Sequence, residues 1–587
     1  MGHLKKSWII MSAAAALITG LWRPVSVNAA EHAKVDYRDM EYERYDMEQF
    51  YALQEKVEAL TEEEGKKEEV LSAYQELLDE VKRMDTLYTL CQNYYYRDVN
   101  DEYYWNESEW MYECVNTVYD EFLQTVSVIL NSPYEDALVE LEGEEVLWYQ
   151  EYIPMTEEEL ALGKREEALI NEYDQVLLSD AEDRYETMGE IFAELVDVRT
   201  KTAELYEYDN YADFAYENYY MRDYSTKDAG YLYSYVKSYV VPVYEKVLDE
   251  FDEESIDRLY AYEYGGEEEL LDMLEPYMGS VSEKIAEAYS YMRKYHLYDW
   301  DVDEKKMQIG YTTYLSEYEA PFMFHASDGS FYDVMTLIHE FGHYNEFYQN
   351  GQSQYYELDS IDVSEVHSQA LELLFLDFYD EIYGENAEDF RLYTIYSVLT
   401  SIVDGCLYDE FQCEVYKNPD MTAEEITERY IELSEQYGIR GLSVSNGSAY
   451  QWMENVHMFE QPMYYISYAV SAIAAFEIWE ESIDDWKAGT ETYLTFVEQG
   501  CNTGIRDAVS ACGLSNVLSE STVRELADAV SEYLALEGVE YQDAGDAEEE
   551  SDTFAFPQVW VIRIAAGIII LVVCEWKKRR RIEKENF

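Results

Sequence analysis

Proline and glycine are scarce in this amino-acid sequence. Its 587 residues include nine prolines and 26 glycines, whereas β-sandwiches and β-barrels need many turns rich in these residues. Long runs of glutamate, leucine, alanine and tyrosine favour helices instead. These features predict a mainly α-helical protein. Because the chain is too long for one ordinary core, we expect two helical subdomains or one large helical unit.

Basic residues are also few. The chain has 41 Lys and Arg but 125 Asp and Glu, which gives a formal net charge of −84. Nucleic acid is therefore excluded as a partner, because phosphate backbones are bound by positive surfaces. The negative charge could attract cationic peptides, although a solvated, self-repelling surface explains it more simply. The hydrophobic content of 48% excludes a disordered chain.

Cysteine is sparse, and no two cysteines form a Cys-x-x-Cys pair. Six of the seven precede the C-terminal apolar stretch, namely Cys91, Cys114, Cys406, Cys413, Cys501 and Cys512. Disulfides and free buried thiols are both compatible with this number. Cys406 and Cys413, at about 10 Å along one helix, are too far apart to be bridged. The absence of a Cys-x-x-Cys pair argues against a second, structural zinc site.

Both ends of the chain combine an apolar run with basic residues. Residues 1–29 have the pattern of a secretory signal peptide, and an uncleaved anchor is the alternative. Residues 554–576, about 34 Å long as a helix, predict a transmembrane helix. The basic residues 577–587 that follow predict a cytoplasmic C-terminus. A buried amphipathic helix is the alternative. Together the two ends predict a single-pass protein of the cell membrane.

The most informative motif is His-Glu-Phe-Gly-His at residues 339–343. On a helix, His339 and His343 are about 6 Å apart along the axis and about 40° apart around it, so both imidazoles can bind one metal ion. The pattern His-Glu-x-x-His is a zinc-site signature, although such a short motif also occurs by chance. Glu340 lies beside the metal, where it can take a proton from a zinc-activated water.

The residues around the motif predict its structural frame. Ser330 with Asp333 resembles a capping box at the start of the zinc helix, and Gly351 is a suitable stop. Residues 310–327 contain β-branched and aromatic residues, which predict a short hairpin or edge strand directly before that helix. A strand in this place often aligns an extended peptide.

A third metal ligand is expected on the next predicted helix. Glu365 follows His343 after a short loop, as a helix–loop–helix return to the metal requires, and the fourth position is left for water. Gln369 and Glu372 share a face with Glu365 and are candidates to hydrogen-bond a ligand imidazole. We expect His367 to point elsewhere, toward the substrate side or the surface. The prediction is one zinc ion per chain.

A further group of candidate residues lies downstream. His457, Tyr465 and Tyr468 surround Pro462, which predicts a loop followed by a helix. Imidazole and phenol donors opposite a metal suit stabilisation of a tetrahedral oxyanion. In a chain with 61 tyrosines, ordinary core tyrosines are the alternative.

In these motifs the chain resembles the oligoendopeptidase F group of the thimet-oligopeptidase-like zinc metallopeptidases. The resemblance covers about residues 206–536 and rests on Ala320–Ile338, His339–His343, Glu365–Gln369 with Glu372, and His457 with Pro462–Ala469. The roles that it implies are zinc ligand for His339, His343 and Glu365, general base for Glu340, and binding of the substrate backbone and oxyanion for His457, Tyr465 and Tyr468.

The resemblance also implies an almost wholly helical fold, with two helical subdomains flanking a deep channel for short peptides. We expect the following division of the chain: signal peptide 1–29, N-terminal helical domain 30–195, zinc metallopeptidase domain 196–537, acidic linker 538–553, transmembrane helix 554–576 and cytoplasmic tail 577–587. Two features depart from the family. Glu346 stands where many relatives have a further histidine, and the familiar relatives are cytosolic.

The leading hypothesis is a zinc-dependent metalloendopeptidase that hydrolyses short oligopeptides outside the cytoplasm, with its catalytic domain extracellular. A dipeptidyl-carboxypeptidase acting with the same site is one alternative. A non-catalytic, membrane-tethered peptide-binding protein is another, although binding alone does not need the base Glu340. A surface adhesion protein with a chance motif is the third. The expected partners are short peptide substrates and the membrane, and the oligomeric state stays open.

Overall fold

A computed structural model describes residues 32–542, except residues 33, 151–155, 178, 180, 182, 304, 308 and 352–358. Most of the described residues are helical, as the composition predicts. The N-terminal part contains α1 (Met47–Thr61), α2 (Lys67–Arg97), α3 (Glu102–Leu130), α4 (Glu135–Glu142), α5 (Glu157–Leu177) and α6 (Arg184–Leu205). Asp46 and Asp101 begin α1 and α3, because their carboxylates accept backbone N–H groups of the first turn.

The middle part of the chain leads from helices into a small sheet. It contains α7 (Tyr211–Asn218), α8 (Thr226–Tyr235), α9 (Val241–Glu250), α10 (Glu253–Tyr260), α11 (Glu267–Val281), α12 (Glu283–Lys294), β1 (Tyr298–Asp299), β2 (Gly310–Leu315) and β3 (Ala320–His325). A π-helical turn, Val236–Val240, joins α8 to α9.

The C-terminal part is again helical. It contains α13 (Phe331–Asn350), α14 (Ile361–Phe375), α15 (Tyr379–Tyr383), α16 (Ala387–Lys417), α17 (Ala423–Gln436), α18 (Gln451–Glu454), α19 (Val456–Glu460), α20 (Ile466–Asp484), α21 (Trp486–Val497), α22 (Ile505–Ala511) and α23 (Glu520–Tyr533). Several single 3-10 turns join these helices.

The three strands form one sheet in the order β1-β3-β2. β2 and β3 are an antiparallel hairpin in which Thr312 pairs with Met323, and β1 pairs with β3 in parallel through Tyr298 and Met323. The predicted hairpin before residues 339–343 is therefore confirmed. Both β2 and β3 pack against α13, so the hairpin lies beside the helix that carries the motif.

The helix α14 is the most enclosed element of the C-terminal part. It contacts α13 on one side and α20 on the other, and α20 in turn packs on α16. Every residue from Glu365 to Phe375 is buried. Small residues allow this close packing: a Cβ at Gly405 of α16 would lie 2.7 Å from the Ala469 Cβ of α20. The helix of the expected third ligand is thus held on several sides.

The buried hydrophobic side chains of the described residues form two clusters. The smaller one is built from residues 45–149, and the larger one contains the sheet and the helices from α5 onward. The helices α5 and α6 join the larger cluster through aromatic contacts, since the ring of Tyr173 stacks on Phe459 with centroids 3.7 Å apart. The domain boundaries given above remain predictions.

The expected membrane attachment needs correction. Within the part of the chain that the structure describes, no helix combines the length and the apolar character needed to span a bilayer. This finding contradicts the predicted transmembrane helix, the membrane as a partner and the location in the cell membrane with an extracellular catalytic domain, and the signal peptide is not supported either. The segments behind these predictions, residues 1–29 and 554–587, lie outside the described residues.

Gly342 sets the distance between α13 and α14. A Cβ at this position would lie 2.5 Å from the Cα of Ser368 and 2.6 Å from the carbonyl oxygen of His367. Both are backbone atoms of α14, so they cannot turn aside as a flexible side chain could. The glycine inside the His-Glu-Phe-Gly-His motif is therefore required by helix packing.

We expect Gly342→Ala to separate α13 from α14 and to lower the free energy of unfolding by about 1–3 kcal/mol, the usual range for overpacking. Urea unfolding would measure the change. The matched control is Gly163→Ala in α5, where a Cβ meets nothing within 4 Å. Because alanine favours helices over glycine, that control should gain about 0.5–1 kcal/mol. Equal stabilities of the two variants would contradict the packing role of Gly342.

Candidate active site

Three side chains from two helices converge at the motif. His339 and His343 project from α13, and Glu365 projects from α14. Glu365 Oε2 lies 3.6 Å from His339 Nε2 and 3.7 Å from His343 Nε2. The two nitrogens and the carboxylate oxygen therefore surround one point in space. All three residues that the sequence predicts as metal ligands are brought together.

The spacing of these atoms fits a metal ion of the zinc type. Ligand atoms at 2.0–2.1 Å from a tetrahedral zinc lie about 3.4 Å from one another. The observed 3.6 and 3.7 Å are close to that value. Two imidazoles and one carboxylate are also a ligand set that zinc enzymes use, with the fourth position open. The residues present thus fit the expected metal.

Glu372 orients the first of the two histidines. His339 Nδ1 donates a hydrogen bond to Glu372 Oε1 at 2.7 Å, which directs Nε2 of the same ring toward Glu365. Of the two residues predicted for this contact, Gln369 and Glu372, it is Glu372 that makes it. The corresponding nitrogen of His343, Nδ1, has a long contact of 3.5 Å with Ser364 Oγ.

The surroundings shift the pKa values of the His339 and His343 imidazoles in opposite directions. Burial alone would lower the pKa of His339, but the hydrogen bond to Glu372 and the charges of Glu372 and Glu365 raise it to about 10. Burial lowers the pKa of His343 well below its ordinary value, and the neighbouring charge of His339 adds to this effect. The difference arises because only His339 has a carboxylate as a direct hydrogen-bond partner. The carboxylates together make this region strongly attractive for a cation.

Glu340 is held by the hairpin. Thr312 of β2 donates to Glu340 Oε2 at 2.7 Å, and its Oγ1 also lies 2.9 Å from the Glu340 carbonyl oxygen. Burial raises the pKa of Glu340, while the charge of His339 and the Thr312 hydrogen bond act against this rise. A buried carboxylate with a raised pKa, fixed next to the ligand histidines, is suited to accept and return a proton. Thr312 was not predicted as a site residue, because no local sequence pattern links it to Glu340.

His325 and Asp333 form a second, unpredicted hydrogen-bond network. His325 Nε2 lies 2.7 Å from Asp333 Oδ1, and Asp333 Oδ2 accepts hydrogen bonds from the Tyr264 hydroxyl at 2.6 Å and the Gly329 N–H at 2.8 Å. The expected capping box is wrong in this detail. Ser330 does cap α13, with its hydroxyl accepting from the Tyr332 N–H, but Asp333 is used for the contact with His325.

The downstream residues gather into an aromatic group. The ring of His457 lies 5.4 Å from Tyr465 and 5.2 Å from Tyr464, and the ring of Tyr468 lies 5.5 Å from Tyr465, measured between centroids. The expected order of loop and helix is confirmed, because α20 begins at Ile466. The structure thus brings His457, Tyr465 and Tyr468 together, and it adds Tyr464 to them.

The charges of Glu365 and Glu340 act on this aromatic group. Burial raises the pKa of Tyr468, and the charges of Glu365 and Glu340 add to the rise. Burial also raises the pKa of Tyr465 to about 12 and lowers the pKa of His457 to about 4. At neutral pH the phenols therefore keep their protons and the imidazole is uncharged. All three side chains can then donate hydrogen bonds without carrying charge.

The expectation for His367 is wrong. Its side chain is fully buried instead of lying on the substrate side or the surface. The cause is the position of α14, whose far side is covered by α20 and α21. The Tyr493 hydroxyl of α21 donates to the His367 carbonyl oxygen at 3.0 Å. Burial lowers the pKa of His367 to about 3, so the imidazole is neutral.

Comparison with protein families identifies the chain. A model described as the peptidase M3 N-terminal domain matches residues 37–153, and a model described as peptidase family M3 matches residues 276–528. The chain belongs to peptidase family M3. It is a metallopeptidase, and the prediction of an enzyme that hydrolyses peptide bonds is confirmed. No curated protein matches the sequence.

Solved structures of similar fold include members of the predicted group. A protein assigned as oligoendopeptidase F has a TM-score of 0.69 and 21% identity, and the match covers 85% of this chain and 99% of that one. PZ peptidase A, solved with an inhibitor, has a TM-score of 0.69 and 22% identity over 85% and 99% of the two chains.

A third structure is assigned as oligoendopeptidase F from Bacillus anthracis strain Ames. It has a TM-score of 0.66 and 20% identity, and the match covers 86% of this chain and 98% of that one. At these identities the likeness concerns the fold. Together with the family models, it confirms the expected resemblance to the oligoendopeptidase F group.

The contact between Glu372 and His339 leads to a prediction about metal affinity. We expect Glu372→Gln to weaken metal binding about 10-fold to 100-fold, because the neutral amide no longer increases the basicity of the ligand imidazole. Competition with a chromophoric chelator would measure the affinity. Glu428→Gln, an exposed position on α17, is the control and should leave the affinity unchanged. Equal affinities would refute the orienting role of Glu372.

Proposed function

We propose that this M3 metallopeptidase is zinc-dependent and hydrolyses internal peptide bonds of short oligopeptides. The observation that carries the proposal is the convergence of His339, His343 and Glu365 beside the buried carboxylate of Glu340. In this arrangement His339, His343 and Glu365 hold the metal and Glu340 is the general base. Zinc, when bound, polarises the scissile carbonyl group and lowers the pKa of water to about 7.

The protein side chains then have separate tasks. Glu340 takes a proton from the attacking water and returns it to the leaving amine. The hydrogen bond from Thr312 keeps the Glu340 carboxylate in one orientation, so the proton is collected from a fixed direction. The same hairpin offers the edge strand β2, along which an extended peptide can add as a further strand.

The aromatic group supplies donors on the opposite side of the substrate. Tyr468 and His457 donate to the substrate oxygen that becomes negative in the transition state, and Tyr465 binds the peptide backbone. Donors that are neutral and buried stabilise such an oxygen better than donors in water, because the surrounding dielectric is low. The raised pKa of both phenols supports this role, since a tyrosinate could not donate.

The division of the chain is part of the proposal. Residues 30–195 form the N-terminal helical domain and residues 196–537 the catalytic domain, with a channel between them that restricts entry to short peptides. The family models support two regions of this kind, since separate models match residues 37–153 and 276–528. One zinc ion belongs to the catalytic site.

Cleavage of a mixed pool of short peptides tests the proposal. The purified chain should cut internal bonds, the cutting should stop in the presence of a metal chelator, and added zinc should restore it. Mass spectrometry of the products gives the cleavage mode. Products shortened only by two residues at the C-terminus would show a dipeptidyl-carboxypeptidase instead. An absence of chelator-sensitive cleavage would leave a peptide-binding protein.

The role of Glu340 has its own test. We expect Glu340→Gln to retain the metal but to lose about 10²-fold to 10⁴-fold in kcat, the range for removal of a general acid–base group. Metal analysis and turnover of one peptide would be measured on the same preparation. Glu428→Gln on α17 serves again as the exposed control and should turn over normally. Near-normal turnover of Glu340→Gln would rule out the assigned base.

A further inference from the structure

A second group of metal-binding side chains lies next to the catalytic site. Glu346 is on α13, His367 is on α14, and Cys501 is in the segment between α21 and α22. All three residues are buried. One carboxylate oxygen, one imidazole nitrogen and the sulfur lie within 4.8 Å of one another. The three ligand types thus meet at one point although they come from distant parts of the chain.

The distance between the sulfur and the imidazole fits a shared metal ion. Cys501 Sγ lies 3.7 Å from His367 Nδ1. A sulfur at 2.3 Å and a nitrogen at 2.0–2.1 Å from a tetrahedral zinc are about 3.6 Å apart. The two side chains therefore have the separation that coordination of one zinc requires, and little movement is needed to admit the ion.

The surrounding residues hold two of the three groups, Cys501 and Glu346, in place. The Ser360 N–H donates to the Cys501 carbonyl oxygen at 2.6 Å, which ties the cysteine to the start of α14. The Asn350 amide donates to Glu346 Oε1 at 3.0 Å and to the Val497 carbonyl oxygen at 2.7 Å. Such supporting contacts around ligands are typical of preorganised metal sites.

A bound cation would compensate the burial of these groups. Within the described part of the chain, no ion pair with a lysine or arginine involves Glu346. Burial raises the pKa of Glu346 to about 8 and raises the pKa of the Cys501 thiol. A divalent cation bound by one thiolate, one carboxylate and one neutral imidazole gives a site with no net charge, which lowers the cost of burial.

We propose that Glu346, His367 and Cys501 bind a second divalent metal ion of the zinc class. The thiolate selects against magnesium and calcium, which prefer oxygen ligands. On binding, Cys501 forms a metal–sulfur bond and its thiol proton passes to solvent, while Glu346 binds as the carboxylate. The role is structural, because all three residues are buried and the ion would join α13, α14 and the segment before α22.

This second ion would act on the same two helices that carry the catalytic ligands. Glu346 lies less than one turn beyond His343 on α13, and His367 lies two residues beyond Glu365 on α14. The absence of a Cys-x-x-Cys pair predicts no second zinc site. Such a pair signals only ligands that are close together in the sequence, whereas His367 and Cys501 are separated by 134 residues.

Metal analysis and cobalt substitution of the full-length protein test this proposal. The protein as purified should contain about two equivalents of divalent metal per chain. After replacement by Co²⁺, it should show a near-ultraviolet charge-transfer band from thiolate to cobalt. Cys501→Ser should lose this band and about one equivalent of metal. The buried thiol of Cys406 provides the matched control, and Cys406→Ser should keep the band and both equivalents.

A further variant separates the two sites. Glu365→Ala should weaken metal binding at the catalytic site but keep the thiolate–cobalt band, and none of these measurements depends on peptidase activity. If the protein shows no peptidase activity, the measurements on the second metal site therefore remain valid. If the wild-type protein binds a single equivalent and shows no thiolate band, the proposal is overturned and the contact is only a thiol–imidazole hydrogen bond. The wild-type spectrum decides this even if Cys501→Ser fails to fold.

Discussion

The close contact between α13 and α14 is the constraint on which the site depends. At Gly342 the two helices approach so closely that a single methyl group would collide with the backbone of α14. This distance brings the Glu365 carboxylate within 3.7 Å of both ligand imidazoles. Because α14 is also packed against α20, it cannot move away from α13 without disturbing the larger hydrophobic cluster. The three proposed metal ligands are thus positioned by helix packing, and Gly342 of the motif is part of that packing.

The burial of several carboxylates in one region gives the site its electrostatic character. Glu340, Glu365 and Glu372 are all buried close to His339. Burying charge is costly unless an opposite charge or hydrogen bonds compensate it. Here the His339 imidazole and the Thr312 hydroxyl supply hydrogen bonds, and the proposed metal ion would add positive charge. The large negative charge of the whole chain has a different meaning, because charges on the surface are screened by salt. It repels the phosphates of nucleic acid, but it does not create the site.

Most of the site contacts that were not predicted join residues that are far apart in sequence. Thr312 reaches Glu340 from a neighbouring strand, Asp333 turns toward His325 instead of completing a capping box, and His367 is buried by α20 and α21. In each case the side chain has several possible partners, and only the packing of other elements selects one. Cys501 is the clearest example, since the rule about Cys-x-x-Cys pairs depends on local spacing. The predicted membrane helix is contradicted as well. That prediction rested only on apolar length and flanking charge, and no helix among the described residues can span a bilayer.

The sequence by itself determined the helical class, the hairpin before the motif, the family and the residues of the predicted metal site. It could do so because these features rest on short-range patterns: helical periodicity aligns His339 with His343, β-branched residues mark the hairpin, and Glu365 follows on the next helix. The tertiary structure decided which acidic residue orients His339, which hydroxyl holds Glu340, where His367 lies and which side chains surround Cys501. These choices depend on distances between separate helices and strands, which are fixed only when the core is packed.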